Sequence, residues 1–159
     1  MRQRIEKAHP KPKPWDAKHR RGGLVDLEFI AQYLQLRVGP EDGSVLATAT
    51  AASFRRLVTA RRLDPEVGAE LLDGLHFWHQ IQGVLRVALG KEVDQSGAPD
   101  ILARALARAT GAKDAARAHE RLDEMAARGF ALYDRLVARP AAALRLANPD
   151  HQPTEIKLP

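Results

Sequence analysis

The chain has 159 residues, 45% of them apolar and only 5% aromatic, which suits one helix-rich domain with a real core. It has no cysteine, excluding disulfides, thiolate zinc sites and a cysteine nucleophile. With no apolar run near the roughly 20 residues of a membrane span and no apolar signal-peptide core after Met1, a soluble, cytoplasmic protein without a membrane partner is expected.

The net charge of +5 invites a nucleic-acid reading, but its location argues against one. Residues 1–21 hold eight Lys/Arg against Glu6 and Asp16, a balance of +6, and the other 138 residues balance at −1. The excess is an N-terminal arm. Pro10, Pro12 and Pro14 alternate with Lys11 and Lys13, a pattern that predicts extended chain, because proline lacks an amide donor and disfavours helix before it. Trp15 follows, a large apolar surface that needs a packing partner.

The first convincing helix is predicted over 24–38, after Gly22-Gly23 and before Gly39-Pro40. Leu27, Ile30 and Leu34 form one apolar stripe and Phe29, Tyr33 and Leu36 a second, so the helix reads as central and buried. Glu28, Gln32 and Gln35 make a polar stripe on it, and Asp26 sits in its first turn, where the dipole favours a carboxylate. A second helix is expected from an N-cap at Ser44 to about Arg62, through a weak helix-forming stretch, Ala47 to Ser53. Asp64-Pro65-Glu66 restarts the chain into a third helix, to about Leu89, with Leu71, Leu75, Trp78, Ile81, Leu85 and Ala88 on one face. Residues 91–97 read as a loop, and Pro99 opens a short fourth helix to Thr110, ended by Gly111. The fifth, about 113–139, repeats Ala118, Leu122, Met125, Gly129, Leu132 and Leu136 in +4 and +3 steps, with Pro140 expected to end it. The predicted fold is all-α: an antiparallel bundle of five helices over 22–139, an extended basic arm over 1–21 and a loose tail over 140–159.

Several constellations carry chemistry in principle. Gly22-Gly23 at a helix start allow close backbone approach, and free amides there attract anions, with Lys18, Arg20 and Arg21 adding positive charge. The structural alternative is a glycine cap on a buried helix beside a basic surface loop. His76 and His79, three apart, lack a third metal ligand and read as flanking Trp78 at a packing seam. Arg55, Arg56, Arg61 and Arg62 form a basic cluster, ordinarily a solvated face, with docking of an acidic partner as the alternative.

From Asp16 to Gln32 the chain reads Asp16-x-Lys18, Gly22-Gly23-x-x-Asp26-x-Glu28-Phe29-x-x-Gln32. This resembles the motif opening the helical domains of the bacterial bifunctional glutamine synthetase adenylyltransferase/adenylyl-removing enzymes. Leu24-Val25-Asp26 after the glycine pair is more similar to the second, C-terminal copy. The resemblance implies the C-terminal helical part of an enzyme that transfers AMP from ATP to a tyrosine of glutamine synthetase in nitrogen regulation, with Mg²⁺ and ATP used by the full enzyme. It implies that Lys18, Gly22, Gly23, Asp26, Glu28 and Gln32 face the active-site cleft of a nucleotidyltransferase domain joined in cis; Arg20 and Arg21, by their charge beside the glycine pair, are candidate anion contacts. Glutamine synthetase and PII signal proteins are the implied partners. The element of such transferases that combines a Gly-Ser turn with a paired Asp-x-Asp is absent from this sequence, which has no Asp-x-Asp. Asp26 and Glu28 lie about 200° apart on a helix and cannot chelate one metal ion together. The chain is therefore expected to bind no cofactor and to be inactive alone. The alternatives are a free-standing helical interaction module and a domain related to PII uridylyltransferase.

Overall fold

A computed structural model describes residues 2–9, 15–89 and 99–147. Its elements are α1 (Arg2–Ala8), α2 (Leu24–Val38), a 3-10 turn (Gly43–Val45), α3 (Thr50–Thr59), α4 (Pro65–Leu89), α5 (Pro99–Thr110), α6 (Ala115–Tyr133), a π segment (Asp134–Ala138) and α7 (Arg139–Ala147). The chain is all-α, as predicted, with no strand among the described residues.

Two helices follow their sequence signals closely. In α4, Asp64 Oδ1 accepts from the amides of Glu66 (2.9 Å) and Val67 (3.2 Å), and Pro65 occupies the first turn, where a missing amide is harmless. Leu71, Leu75, Trp78 and Ile81 are its buried stripe. In α6, Asp114 caps the Arg117 amide at 2.8 Å, and Ala118, Leu122, Ala126, Gly129 and Leu132 point inward. Helix α5 adds Leu102, Leu106 and Ala109 and packs on both α4 and α6. Helix α2 lies against α3, α4, α6 and the π segment, so one core collects Leu27, Ile30, Phe54, Leu57, Trp78 and Leu122.

Four expectations need correction. Helix α2 is central but not buried all round: Phe29 and Tyr33 are half-buried and Leu36 is 79% exposed. Its neighbours cover one side only. The helix expected from Ser44 is a single 3-10 turn capped by Asp42, whose Oδ1 accepts from the Ser44 amide at 3.0 Å, and α3 begins only at Thr50. Side chains outbid the weak helix formers for the intervening backbone: Gln35 Oε1 accepts from the Ala47 amide at 2.6 Å, and Arg56 donates to the Leu46 carbonyl.

Pro140 does not end the fifth helix. The chain widens into the π segment, where the Arg139 amide bonds Asp134 O, five residues back, and Pro140 enters the first turn of α7. The wider turn accommodates a residue that has no amide and crowds the preceding turn. Finally, the ends are more ordered than expected. Residues 2–8 are helical rather than extended, since Arg, Gln, Glu and Lys there are good helix formers free of proline. Residues 141–147 of the predicted tail belong to α7. The proline run 10–14, the 91–97 loop and the tail beyond 147 lie outside the described residues.

Candidate functional site

The segment 15–23 is a tied loop that leads into α2. Asp16 Oδ1 accepts from the amides of Lys18 and His19, both at 3.0 Å, and its Oδ2 lies 3.2 Å from His19 Nδ1. The turn is thus built by the aspartate at its head. The following amides fold back onto it. Gly23 donates to Arg20 O (3.0 Å), Leu24 to Ala17 O (2.9 Å) and Val25 to Lys18 O (3.3 Å). Gly22 donates to Asp26 Oδ2 at 2.6 Å, inside the protein, where Asp26 is fully buried.

These bonds correct the anion reading of the glycine pair. The amides that would cradle an anion at the start of α2 already have acceptors within the chain. What the glycines supply is close approach. Gly22 has φ +74, and a β-carbon on it would lie 1.8 Å from Ala126 O and 2.7 Å from Phe130 N of α6. The opposing helix answers in kind: a β-carbon on Gly129 would lie 2.3 Å from Gly22 O. Gly23 is also closed in, since its β-carbon would sit 2.7 Å from Ala17 O.

Three more side chains pin this contact. Trp78 Nε1 of α4 donates to Gly22 O at 3.0 Å. Arg20 stacks 5.5 Å from the Trp78 ring centroid and pairs with Asp123 of α6 at 2.8 Å. Arg21 stands 4.9 Å over the Phe130 ring. Loop, α4 and α6 therefore form one joint, centred on the Gly22 carbonyl that Trp78 bonds and Gly129 packs against.

The predicted site residues divide into three groups. Gly22, Gly23 and Asp26 are buried within the joint. Arg20 and Arg21 engage the aromatic side chains of α4 and α6. Lys18, Glu28 and Gln32 are exposed, and Glu28 lines an open cleft of about 590 Å³ with Arg55, Asp73, His76 and His79. His76 and His79 are exposed at that cleft rather than packed beside Trp78. Among the described residues no three His, Asp or Glu side chains are arranged to hold a metal ion. Sequence reading missed Trp78, Asp123 and Phe130 as partners of the motif. Gly129 carried a signal, because a glycine on the buried stripe of a long helix marks close backbone approach.

The family model described as GlnD PII-uridylyltransferase matches residues 1–137, which include the whole joint and both helices it clamps. The chain belongs to that family. Individual relatives of this uridylyltransferase-family chain are bifunctional glutamine synthetase adenylyltransferase/adenylyl-removing enzymes. That of Rhodopseudomonas palustris is 30% identical over 145 residues, 89% of this chain and 14% of the relative. That of Xanthobacter autotrophicus is 32% identical over 144 residues, again 89% and 14%, and one from Bradyrhizobium is 34% identical over 113 residues, 69% and 11%. The chain therefore spans about one seventh of the curated relatives it matches and corresponds to a domain of them. No solved structure matches it. Among the described residues no helix is long and apolar enough to cross a membrane.

Proposed function

We propose that this chain is the helical, target-docking part of a nucleotidyltransferase that moves AMP from ATP to a tyrosine of glutamine synthetase, and that it has no transfer activity by itself. The observation that carries this reading is the match of most of the chain to one domain-sized piece of adenylyltransferases. In this reading the buried trio Gly22, Gly23 and Asp26 is structural: it sets the direction in which the basic arm leaves the bundle toward a catalytic domain. Lys18, Glu28 and Gln32, which are exposed, meet the catalytic cleft in this reading, with Lys18 meeting a phosphate. Mg²⁺ and ATP belong to the catalytic domain, and the body of the chain contacts glutamine synthetase or a PII signal protein.

The test is a chimera in which this chain replaces the matching segment of the Rhodopseudomonas palustris enzyme. Lys18→Ala and Glu28→Ala should each lower AMP transfer roughly tenfold or more while leaving the unfolding midpoint in place. Unchanged activity per folded molecule in both variants would remove the exposed trio from the reaction. A second reading is favoured by the family description itself, which names PII-uridylyltransferase. It predicts transfer of UMP to a PII protein when the chain is joined to a uridylyltransferase core, and none of AMP in the adenylyltransferase chimera.

A further inference from the structure

Helix α2 is apolar on two sides, and the bundle uses one of them. At about 100° per residue, Leu27, Ile30, Ala31 and Leu34 fall together on the core side, where all four are buried. Phe29, Tyr33 and Leu36 fall within about 60° of one another on the far side of the helix. There Phe29 and Tyr33 are half-buried and Leu36 is 79% exposed. Leu46, half exposed, stands at the end of this stripe: a β-carbon on Gly39, one turn beyond Leu36, would lie 2.8 Å from its side chain. A lone exposed leucine calls for no explanation, but an aligned apolar stripe marks a face that another surface covers.

The stripe has a polar border. Gln32 lies three residues after Phe29 and four before Leu36, and Glu28 one turn before Gln32, so this exposed polar row adjoins the stripe. Arg37, also exposed, lies four residues after Tyr33 and bounds the other side. An apolar centre with a polar, solvent-reachable rim is the anatomy of a protein–protein interface.

We propose that this outer face of α2 is the seat of the nucleotidyltransferase domain joined in cis, which covers it with an apolar patch of its own. The proposal rests on the adenylyltransferase reading above. Two observations choose this occupant. The family match takes in the whole of α2, and the matched piece is 14% of the Rhodopseudomonas palustris relative, so most of that enzyme lies outside the bundle. The stripe is also continuous with Glu28 and Gln32, the residues that the adenylyltransferase reading brings to the catalytic cleft. In this arrangement Phe29, Tyr33 and Leu36 hold the two domains together while the polar row beside them reaches the cleft.

The test is hydroxyl-radical footprinting, read by mass spectrometry, of the free chain and of the Rhodopseudomonas palustris chimera. Leu36 reactivity should fall at least about fivefold in the chimera, while Val87, 87% exposed on α4, should change less than about twofold. Leu36→Asp should leave the melting temperature of the free chain within about 2 °C, since that side chain is already in water. In the chimera it should return Phe29 and Tyr33 to their free-chain reactivity, whereas Leu36→Met should keep them shielded. Leu36 as reactive in the chimera as in the free chain, or shielded no more than Val87, would overturn the proposal. So would shielding of the free chain that grows between about 1 and 100 µM, which assigns the face to a second copy. A chimera that shields Leu36 but transfers no AMP would refute the reaction and keep the docking face. One that transfers AMP with Leu36 unshielded would do the reverse. For a chimera that does not fold, the chain mixed with the segment-deleted enzyme gives the same readout.

Discussion

Gly22 meets three demands at once: a left-handed φ, van der Waals contact of its backbone with α6, and both of its polar groups bonded inside the protein. No other residue type satisfies the first two. Gly22→Ala should cost roughly 3 kcal/mol or more in unfolding free energy, since the neighbour it strikes is helix backbone and cannot rotate away. Asp26→Ala leaves the Gly22 amide without its acceptor and should cost about 2 kcal/mol. Lys18→Ala, on the exposed rim, should stay within about 0.5 kcal/mol. Urea denaturation of the three variants checks the order, and equal losses at Asp26 and Lys18 would contradict the buried joint. The sequence made the glycines' close approach legible, because two adjacent glycines before an apolar helix have few other uses. It did not show that their amides were already taken. The acceptors are carbonyls of a turn that Asp16 builds, and the surface approached lies about a hundred positions later, in α6.

At the scale of elements, helix boundaries were legible wherever a residue acts through its own backbone chemistry. Asp64-Pro65, Pro99 and Gly111 mark starts and stops that the structure keeps. They failed where a distant side chain or an altered helical register intervened. Gln35 and Arg56 hold residues 46–47 out of a helix, and the π segment carries the chain past Pro140. The cap of the 3-10 turn gives a pH-dependent prediction. The Ser44 side chain and then its backbone amide hold the Asp42 carboxyl below its ordinary value of 3.8, with Arg62 adding to the effect. A lowered folded-state value means the carboxylate stabilises the fold above the unfolded value, and that contribution is lost as pH falls through the lowered one. The gap in unfolding free energy between wild type and Asp42→Ala should therefore hold steady from about pH 7 to 5 and shrink below about pH 4. A gap that widens under acid would contradict the cap.

For the whole molecule, the charge that first suggested nucleic acid resolves into two unlike parts: a basic arm feeding the joint and a near-neutral bundle. The all-α class and the five bundle helices followed from periodicity, because each buried stripe repeats within its own helix. The split of the motif into a buried joint and an exposed rim did not follow, since it depends on which helix α6 and α4 present to the loop. That split is what the proposed function uses: rigid attachment on one side, residues free for the catalytic cleft on the other. The most direct measurement is AMP incorporation into glutamine synthetase by the Rhodopseudomonas palustris enzyme carrying this chain in place of its matching segment, set against the same enzyme with that segment deleted. The account predicts at least about a tenth of the parent rate in the chimera and background in the deletion. A folded chimera no more active than the deletion would contradict it.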